Sequence, residues 1–353
     1  MRIAFIDLST RLETVYDLES RPRGGMVSSL FKVSDYLARF ADVEVLSDIE
    51  LEGETEAGVK WRKEPHGPYD VLITNRGIGS GYSYIQARHR VLWTHDLPHV
   101  GFIEEPKTMK AFSATVFMSR YAEKIWRAMF PAIGRSFMIP NGVDRDLFRP
   151  KDKDLNYLIY ISAPNRGLKR LPFLFDCIQS RTGRPIYMTA FSNLSRLHPN
   201  EVGERDEFEQ DYKAVSESQV TLCDPVPQAE LASELGAAGL MILPTEYPEI
   251  CSNSILQALS CGVPIVTTGH LGSAHEWINR SNGRLTEFHP HDYMIYQMEI
   301  VRHATTILND ENLHRRMVDG ACRSDVLTWD EIGAKWWRML RALSRPFSIS
   351  IGL

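Results

Sequence analysis

A glutamate just ahead of a predicted helix is a side chain of this sequence that is well placed to do chemistry. Glu249 stands in PTEYPEICSNSILQALSCGVPIV, where a strand ends, a polar loop follows and an apolar helix opens near Ser252 or Asn253. A carboxylate at the carboxyl end of a strand, beside free helix amides, can accept hydrogen bonds from ligand hydroxyl groups. The alternative, that Glu249 only complements the helix dipole, stays open at this point.

Basic residues gather in an earlier segment, where NYLIYIS predicts a strand and a helix is expected to begin near Gly167. Arg166, Lys169 and Arg170 surround that helix start. Because the positive end of a helix dipole disfavours cations, this placement favours a bound phosphate over a solvated run of charge.

A glycine pair precedes the first predicted helix. Gly24 and Gly25 would let the backbone approach a ligand, and the helix from Met26 would offer free N–H groups to an anion. A turn without any ligand explains this feature equally well. The spacing does not match Gly-x-Gly-x-x-Gly, which disfavours a nicotinamide-dependent enzyme.

Length and pattern indicate two α/β domains. The chain has 353 residues, 43% of them apolar and 24% charged, and a net charge of −5, which gives no footprint for nucleic acid. Short apolar runs alternate with helical segments, as in parallel sheets with crossover helices, and the pattern restarts after a charged seam at 149–154. We predict domains at 1–150 and 151–328, with only helical segments beyond Gly283.

Other features argue against several kinds of site and location. The five cysteines are widely spaced and form no Cys-x-x-Cys pair, which disfavours a disulfide framework and a zinc site. The segments 51–68 and 197–218 are polar and are expected to be solvated loops or short surface helices. No apolar run approaches the roughly 18 residues that span a bilayer, so we predict a cytoplasmic protein. Peripheral contact with the inner membrane face through Trp126 and Phe130 stays an alternative to a buried crossover helix.

The order of the motifs resembles the retaining glycosyltransferases of family 4, which have the GT-B architecture. The matching pieces are RGGMVSSLFKVSDYLARF, VLWTHD, FMSRYAEKIW, MIPNGVDRDLF, SAPNRGLKRL, the block from Val226 to Thr268, NGRL and LTWDEIGAKWWRML. The resemblance implies two Rossmann-like domains that face each other across a cleft, with a C-terminal helix at about 329–345 crossing back to the N-terminal domain. It also implies a UDP- or GDP-sugar donor bound by the C-terminal domain, and a glycan, glycolipid or other glycoconjugate acceptor bound by the N-terminal one.

For the C-terminal half, the resemblance assigns donor contacts to particular residues. Glu249 would contact hydroxyl groups of the transferred sugar, and the backbone amides that follow would approach the diphosphate or sugar, at Ile250, Cys251, Ser252 and Asn253. Arg166, where many relatives have lysine, would neutralise the leaving diphosphate. An upstream arginine usual in the family is replaced by Ser162-Ala163, for which Lys169 or Arg170 could substitute.

One family position departs from the usual residue. Gln257 occupies the place of a second glutamate that holds the nucleotide ribose. An amide lacks the charge and the two acceptor oxygens of a carboxylate, so we expect weaker or altered nucleotide recognition.

For the N-terminal half, the resemblance implies that the backbone of Gly25 faces the diphosphate and that His95 lines the reaction centre. Without the resemblance, His95 is better interpreted as a core or capping histidine. Four further polar residues are candidates for the acceptor side of the cleft, although Asn141 with Gly142 also fits a plain turn: Asp96, Ser119, Asn141 and Asp144.

The chemistry that these residues suggest is sugar transfer without a metal or a cofactor. Breaking a glycosyl–phosphate bond leaves negative charge on the nucleotide diphosphate, and its stabilisation is expected to be the largest contribution. Arg166, its basic neighbours and the helix N-termini would supply the positive potential, with retention of configuration implied by the resemblance. Two alternatives remain: a nucleotide- or glycan-binding protein that has lost turnover, and an epimerase or phosphorylase of the same architecture.

Overall fold

The structure, a computed structural model, describes residues 1–12, 14–15, 24–75, 83–98, 106–192 and 202–344. Residue contacts divide the chain into two units. Unit 1 comprises Met1–Glu19, Met26–Asn141 and Trp329–Leu353, and unit 2 comprises Ser20–Gly25 and Gly142–Thr328. Both units are α/β, as the alternation of apolar runs and helical segments predicts.

Unit 1 is built on an eight-stranded sheet within the described residues. Its strands are β1 (Arg2–Leu12), β2 (Asp42–Ile49), β3 (Gly53–Glu54), β4 (Lys60–Arg62), β5 (Tyr69–Asn75), β6 (Ala87–Trp93), β7 (Ala114–Phe117) and β8 (Ser136–Met138). Their order across the sheet is β3-β4-β2-β1-β5-β6-β7-β8. The neighbouring strands are parallel except for β3 and β4, which form an antiparallel pair.

Unit 2 has a six-stranded sheet in the part of the chain that the structure describes. Its strands are β9 (Asp154–Ile161), β10 (Tyr187–Phe191), β11 (Thr221–Cys223), β12 (Ala238–Leu243), β13 (Ile265–Thr267) and β14 (Gly283–Leu285). The order is β11-β10-β9-β12-β13-β14 and all pairs are parallel. Since the chain runs outward from β9 in one direction and from β12 in the other, these two central strands form the topological switch point.

Helices cover the sheets. They are α1 (Gly25–Ala38), α2 (Arg120–Met129), α3 (Leu171–Thr182), α4 (Val202–Ser216), α5 (Gln228–Ala237), α6 (Asn253–Ser260), α7 (Tyr293–Asn309), α8 (Glu311–Cys322) and α9 (Trp329–Ser344). Trp126 and Phe130, at the end of α2, are buried. These two side chains are therefore packed inside the protein and not exposed for the lipid contact considered above. No helix in the described ranges is long and apolar enough to cross a membrane.

The C-terminal helix α9 packs onto the sheet of unit 1. Trp336 is fully buried, with its ring centroid 4.8 Å from that of Trp93 and 6.4 Å from that of Phe5. Trp337 stacks on Phe40 with centroids 5.3 Å apart. The tryptophan-rich tail therefore has the surface that its amphipathic pattern requires. Residue 345, the expected end of this helix, lies outside the described residues.

Several local expectations are wrong. The strand β14 begins at Gly283, although only helices are expected beyond that residue. Three residues are enough to pair with β13 but too few to show a periodic pattern of apolar residues. The polar segment 51–68 contains β3 and β4, and Trp61 of β4 is buried against its neighbours. The polar segment 197–218 contains the 15-residue helix α4 rather than loops or short helices.

Candidate functional site

Two loops at the switch point of unit 2 carry the main candidate residues. The first loop follows β9 and contains Arg166, and the second follows β12 and contains Glu249. Because β9 and β12 are parallel neighbours, their carboxyl ends lie at the same edge of the sheet. Ligands bind at this place in open α/β sheets.

The structure brings Arg166 and Glu249 into direct contact. Nε of Arg166 donates a hydrogen bond to Oε1 of Glu249 at 2.6 Å. Their side chains are 19% and 17% exposed, so a ligand can reach both while water screens them only partly. Burial acts to lower the pKa of Arg166, but the Glu249 carboxylate outweighs it and raises the pKa overall. The guanidinium is thus charged at any pH at which the protein is folded.

Two further groups hold the Arg166 guanidinium. Nη1 donates to Oδ1 of Asn165 at 2.5 Å. The ring of Tyr247 lies against one face, with Cζ of Arg166 3.7 Å from the ring centroid. This distance is well within the range of a cation–π interaction.

The backbone of the second loop, Pro244–Glu249, is anchored by close contacts. The carbonyl of Glu249 accepts hydrogen bonds from the N–H and the hydroxyl of Ser273, at 2.7 and 3.0 Å. Gly272 has a φ of +78° and lies so near that a Cβ would clash with the Glu249 carbonyl oxygen. Gly167 in the first loop has a φ of +95° and abuts the Pro244 carbonyl in the same way. Glycine at both positions therefore lets the loops pack together.

The other two basic residues have a different environment from the one expected. The helix does not begin near Gly167: two 3-10 turns, Pro164–Arg166 and Leu168–Arg170, precede α3. Pro172 in the first turn of α3 and the left-handed Gly167 explain this later start. Arg170 is the N-cap of α3, and Arg166 and Lys169 lie on the two turns before it, so the three basic residues surround a helix start that lies at Leu171.

Arg170 and Lys169 both pair with Glu246 of the second loop. Arg170 is only 2% exposed and donates from Nε to Oε1 of Glu246 at 2.8 Å, while Nζ of Lys169 lies 3.3 Å from the same oxygen. Arg170 also donates to the carbonyl of Pro290 and packs on the rings of Tyr293 and Tyr296. Donor binding by Arg170 or Lys169 stays a prediction, and the structure already gives both charges a partner inside the protein.

The predicted amide group lies at the start of α6. Ile250, Cys251 and Ser252 are buried, and Ser252 is the N-cap of a helix that begins at Asn253. Its side chain makes no capping hydrogen bond, so the first amides of α6 keep their partial positive charge for another acceptor.

Asn253 and Gly25 are in contact, and both belong to unit 2. Nδ2 of Asn253 donates to the Gly25 carbonyl at 3.3 Å, and a Cβ on Gly25 would stand 2.7 Å from that nitrogen. Gly24 directly precedes this contact and is half-buried. A side chain at position 25 would therefore displace the Asn253 amide.

Gln257 faces a residue that the sequence did not single out. Its Nε2 donates to Oε1 of Gln228, the first residue of α5, at 3.0 Å. Ser254, one turn earlier on α6, donates its hydroxyl to the carbonyl of Ile161 at the end of β9. α6 is therefore tied to the switch point through Ser254, and Gln257 is turned toward the start of α5.

The candidates for the acceptor side have partners inside their own units. In unit 1, His95 is 9% exposed with its ring 4.4 Å from that of Trp93, and the carbonyl of Asp96 accepts from Trp126 Nε1. Structural contacts involve the other three candidates: Ser119 caps α2 at Ala122, Asn141 accepts from Ser29, and Asp144 in unit 2 accepts from the N–H of Leu147. Their roles in acceptor binding stay predictions.

Tyr247 and Glu246 are the residues of this site that sequence reasoning missed. Both lie in PTEYPE beside Glu249. An aromatic residue two positions before the glutamate was a usable signal, because aromatic rings often pack on arginine. Nothing in the pattern shows that Glu246 pairs with Arg170, 76 residues away.

Among the described residues, no group of three or more His, Cys, Asp or Glu side chains could hold a metal ion. The charged groups of the two loops are instead arranged as arginine–carboxylate pairs. The arrangement offers the partly exposed guanidinium of Arg166, the partly exposed carboxylate of Glu249 and a helix N-terminus, which together suit a ligand with both hydroxyl and phosphate groups.

The chain resembles known proteins in sequence and in structure. Residues 187–301, which include Glu249 and Gln257, match the family model described as "Glycosyl transferases group 1". None of the curated protein sequences matches the chain significantly.

Solved structures match over almost the whole chain. The sucrose-phosphate synthase of Thermosynechococcus elongatus has a TM-score of 0.71 at 15% identity, covering 97% of this chain and 99% of that one. HepE of Anabaena, solved with UDP and glucose, has a TM-score of 0.70 at 16% identity, covering 97% and 100%. The fold is the GT-B fold. WaaG, a glycosyltransferase involved in lipopolysaccharide biosynthesis, also matches, with a TM-score of 0.66 at 13% identity and coverage of 96% and 99%.

Proposed function

We propose that the protein is a retaining glycosyltransferase that moves a sugar from a UDP- or GDP-sugar to a glycan, glycolipid or other glycoconjugate. The observation that carries the proposal is the Arg166–Glu249 contact at the switch point of unit 2. In this proposal the cation binds the diphosphate, and the carboxylate beside it binds the sugar hydroxyl groups. The group 1 match over residues 187–301 and the solved UDP complexes of HepE support a nucleotide-sugar donor.

In the proposed reaction, the bond between the anomeric carbon and the diphosphate oxygen breaks and its electron pair stays on the diphosphate. Arg166 stabilises that charge, aided by the amides at the start of α6. Glu249 accepts hydrogen bonds from hydroxyl groups of the sugar and so orients it. These groups supply the positive potential that a metal ion provides in other transferases, so we propose that the reaction needs none.

The acceptor completes the reaction. One of its hydroxyl oxygens forms the new bond to the anomeric carbon on the face that the diphosphate leaves, which retains the configuration. Its proton passes to an oxygen of the departing diphosphate, so atoms and charges balance. We assign acceptor binding to unit 1, where His95 and Asp96 follow β6, and we propose that His95 contacts the donor sugar.

A thermal-shift screen of nucleotide sugars tests the proposal. A donor that binds the native state only raises the melting temperature, by an amount set by its concentration relative to its Kd. We expect one UDP- or GDP-sugar to raise it in the wild-type protein and to do so far less in Glu249→Ala.

Release of labelled sugar from that donor, to water or to an added glycan fraction, then measures turnover. Turnover that persists in both Glu249→Ala and Arg166→Ala would contradict the proposed site. Binding without any turnover would favour the alternative of a nucleotide-binding protein that has lost its activity.

A further inference from the structure

The Arg166 guanidinium is held in one plane before any ligand arrives. Glu249 accepts from Nε and Asn165 from Nη1, and the Tyr247 ring covers one face with its centroid 3.7 Å from Cζ. Nη2 makes no hydrogen bond with the described part of the chain. One nitrogen of a well-ordered cation is thereby left for a phosphate oxygen, with the side chain 19% exposed to solvent.

The backbone that carries the Tyr247 ring is held by hydrogen bonds within its own loop. The Oγ1 atom of buried Thr245 accepts from the N–H of Tyr247 and donates to its carbonyl, at 3.1 and 3.2 Å. That carbonyl also accepts from the N–H of Glu249 at 2.9 Å. These hydrogen bonds order the backbone on both sides of Tyr247, and none of them involves Arg166.

An aromatic ring and a carboxylate hold a cation with different consequences for phosphate binding. Glu249 carries a full negative charge and competes with the phosphate for Arg166. Tyr247 attracts the cation through the face of its ring without adding a net charge. If Glu249 accepts from sugar hydroxyl groups, as the proposed function has it, the ring and Asn165 continue to hold the guanidinium plane.

We propose that Tyr247 is a positioning residue for the donor diphosphate, since its ring keeps Arg166 oriented so that Nη2 faces a phosphate oxygen. The inference rests on the proposed function, because it concerns the same donor site. Ordering the long arginine side chain in advance removes an entropic cost that would otherwise fall on ligand binding.

The test is calorimetric titration of the purified full chain with UDP, and with GDP in parallel. Tyr247→Leu removes the ring, Tyr247→Phe keeps it, and Tyr84→Leu makes the same change at an exposed tyrosine of unit 1. We expect Tyr247→Leu to weaken the binding of the diphosphate that the wild type prefers by roughly 3- to 30-fold. Tyr247→Phe and Tyr84→Leu should stay within about twofold of the wild type.

A positioning role also predicts which ligands and which background show the effect. The phosphate-free nucleoside should bind Tyr247→Leu and wild type equally, since Arg166 is assigned to the phosphates. In an Arg166→Met background, Tyr247→Leu should cause no further loss, as expected when one residue acts only through the other.

Equal affinity of wild type and Tyr247→Leu for the diphosphate would overturn the inference and leave the proposed function intact. An equal loss for the nucleoside, or an additive loss with Arg166→Met, would also overturn it, because either marks a general disturbance of the loop. If Tyr247→Leu unfolds, the unbranched Tyr247→Met variant replaces it with the same expectations. A wild-type protein that binds neither diphosphate nor any nucleotide sugar would overturn the proposed function together with the inference.

Discussion

Two arginine–glutamate pairs lie on the same two loops of unit 2 and differ in their surroundings. Arg166 and Glu249 are 19% and 17% exposed, whereas Arg170 is 2% exposed and its partner Glu246 is 29% exposed. Arg170 is enclosed by a backbone carbonyl and two tyrosine rings. Both pairs join the two loops, but the guanidinium of Arg166 is partly exposed whereas that of Arg170 is buried.

We propose that the exposure of the arginine side chain distinguishes a ligand-binding charge, Arg166, from a structural charge, Arg170. A ligand phosphate can approach Arg166, because one nitrogen of its guanidinium is available. It cannot reach Arg170 without displacing Pro290 or a tyrosine ring. Substitution of Arg166 should accordingly lower the rate of sugar transfer, whereas substitution of Arg170 should lower the free energy of unfolding.

The largest effect is expected for Arg166→Met. Without the cation, charge on the leaving diphosphate loses its main protein partner, and removal of such a group costs about 10²- to 10³-fold in kcat. Steady-state sugar transfer measures this loss. Thermal unfolding should change less than in Arg170→Met, because the Arg166 side chain is 19% exposed and that of Arg170 only 2%. Arg181→Met, at an exposed position near the end of α3, is the matched control and should keep wild-type activity. An Arg166→Met variant that transfers sugar at the wild-type rate would contradict the assignment of Arg166 to the ligand.

The second effect concerns stability at Arg170. Arg170→Met leaves the Glu246 carboxylate with only exposed Lys169 as a partner, so we expect a loss of about 3 kcal/mol in the free energy of unfolding. Denaturant unfolding followed by fluorescence measures it. Below the shifted unfolding transition, the diphosphate affinity should stay near that of the wild type. A large loss of affinity with unchanged stability would mean that Arg170 binds the ligand and Arg166 joins the loops.

The third effect is the pH dependence of the Glu246 cluster. Burial acts to raise the pKa of Glu246, but the hydrogen bond and charge of Arg170, with the charge of Lys169, hold it below its ordinary value of 4.5. The unfolded chain therefore binds the proton more readily, and the pair stabilises the fold above that ordinary value. This contribution is lost as the pH falls through the lower pKa of the folded state.

Melting temperatures measured between about pH 6 and pH 3 test this expectation, with Glu246→Gln as the comparison. The wild type should lose more stability than the variant as the pH falls below 4.5. Asp211 is coupled to the same charges, and burial raises its pKa, so its contribution has the opposite sign and declines as the pH rises. Because the charge of Glu246 also helps to raise the pKa of Asp211, the comparison is repeated in an Asp211→Asn background, where the difference between the two proteins isolates Glu246. Equal slopes would contradict the assigned role of the Arg170–Glu246 pair.

The sequence predicts the two sheets and the loops that carry the site, because buried parallel strands appear as short apolar runs that end at polar residues. Both Arg166 and Glu249 follow such runs, so their positions at strand ends could be inferred. Their direct contact could not, since 83 residues separate them and the order of the strands is not written in the apolar pattern. Once β9 and β12 are known to be neighbours, the contact follows from the topology.

Other features depended on tertiary contacts that the pattern does not contain. α3 begins at Leu171 rather than near Gly167, because Gly167 packs in a left-handed conformation against Pro244. The three basic residues nevertheless surround the start of α3, since Arg170 is its N-cap. The partner of Gln257, Gln228, lies 29 residues away on α5, and no periodicity predicts an amide–amide contact of this kind.

The smallest effect is expected for Gln257→Glu. In the wild type, Nε2 of Gln257 donates to Oε1 of Gln228, an arrangement that uses one of its two donor hydrogens. A carboxylate at 257 can only accept, so Gln228 must turn its amide to donate, a rotation that costs little. The new carboxylate would accept charge-assisted hydrogen bonds from ribose hydroxyl groups, and we expect about fivefold tighter binding of the preferred nucleotide, or roughly 1 kcal/mol. Titration of Gln257→Glu with the nucleotide measures the gain in affinity. The same titration of the double variant Gln257→Glu with Gln228→Ala measures how much of that gain depends on rotation of the Gln228 amide. Unchanged affinity in both would show that Gln257 does not face the nucleotide, and the ribose contact would then have to be sought elsewhere in unit 2.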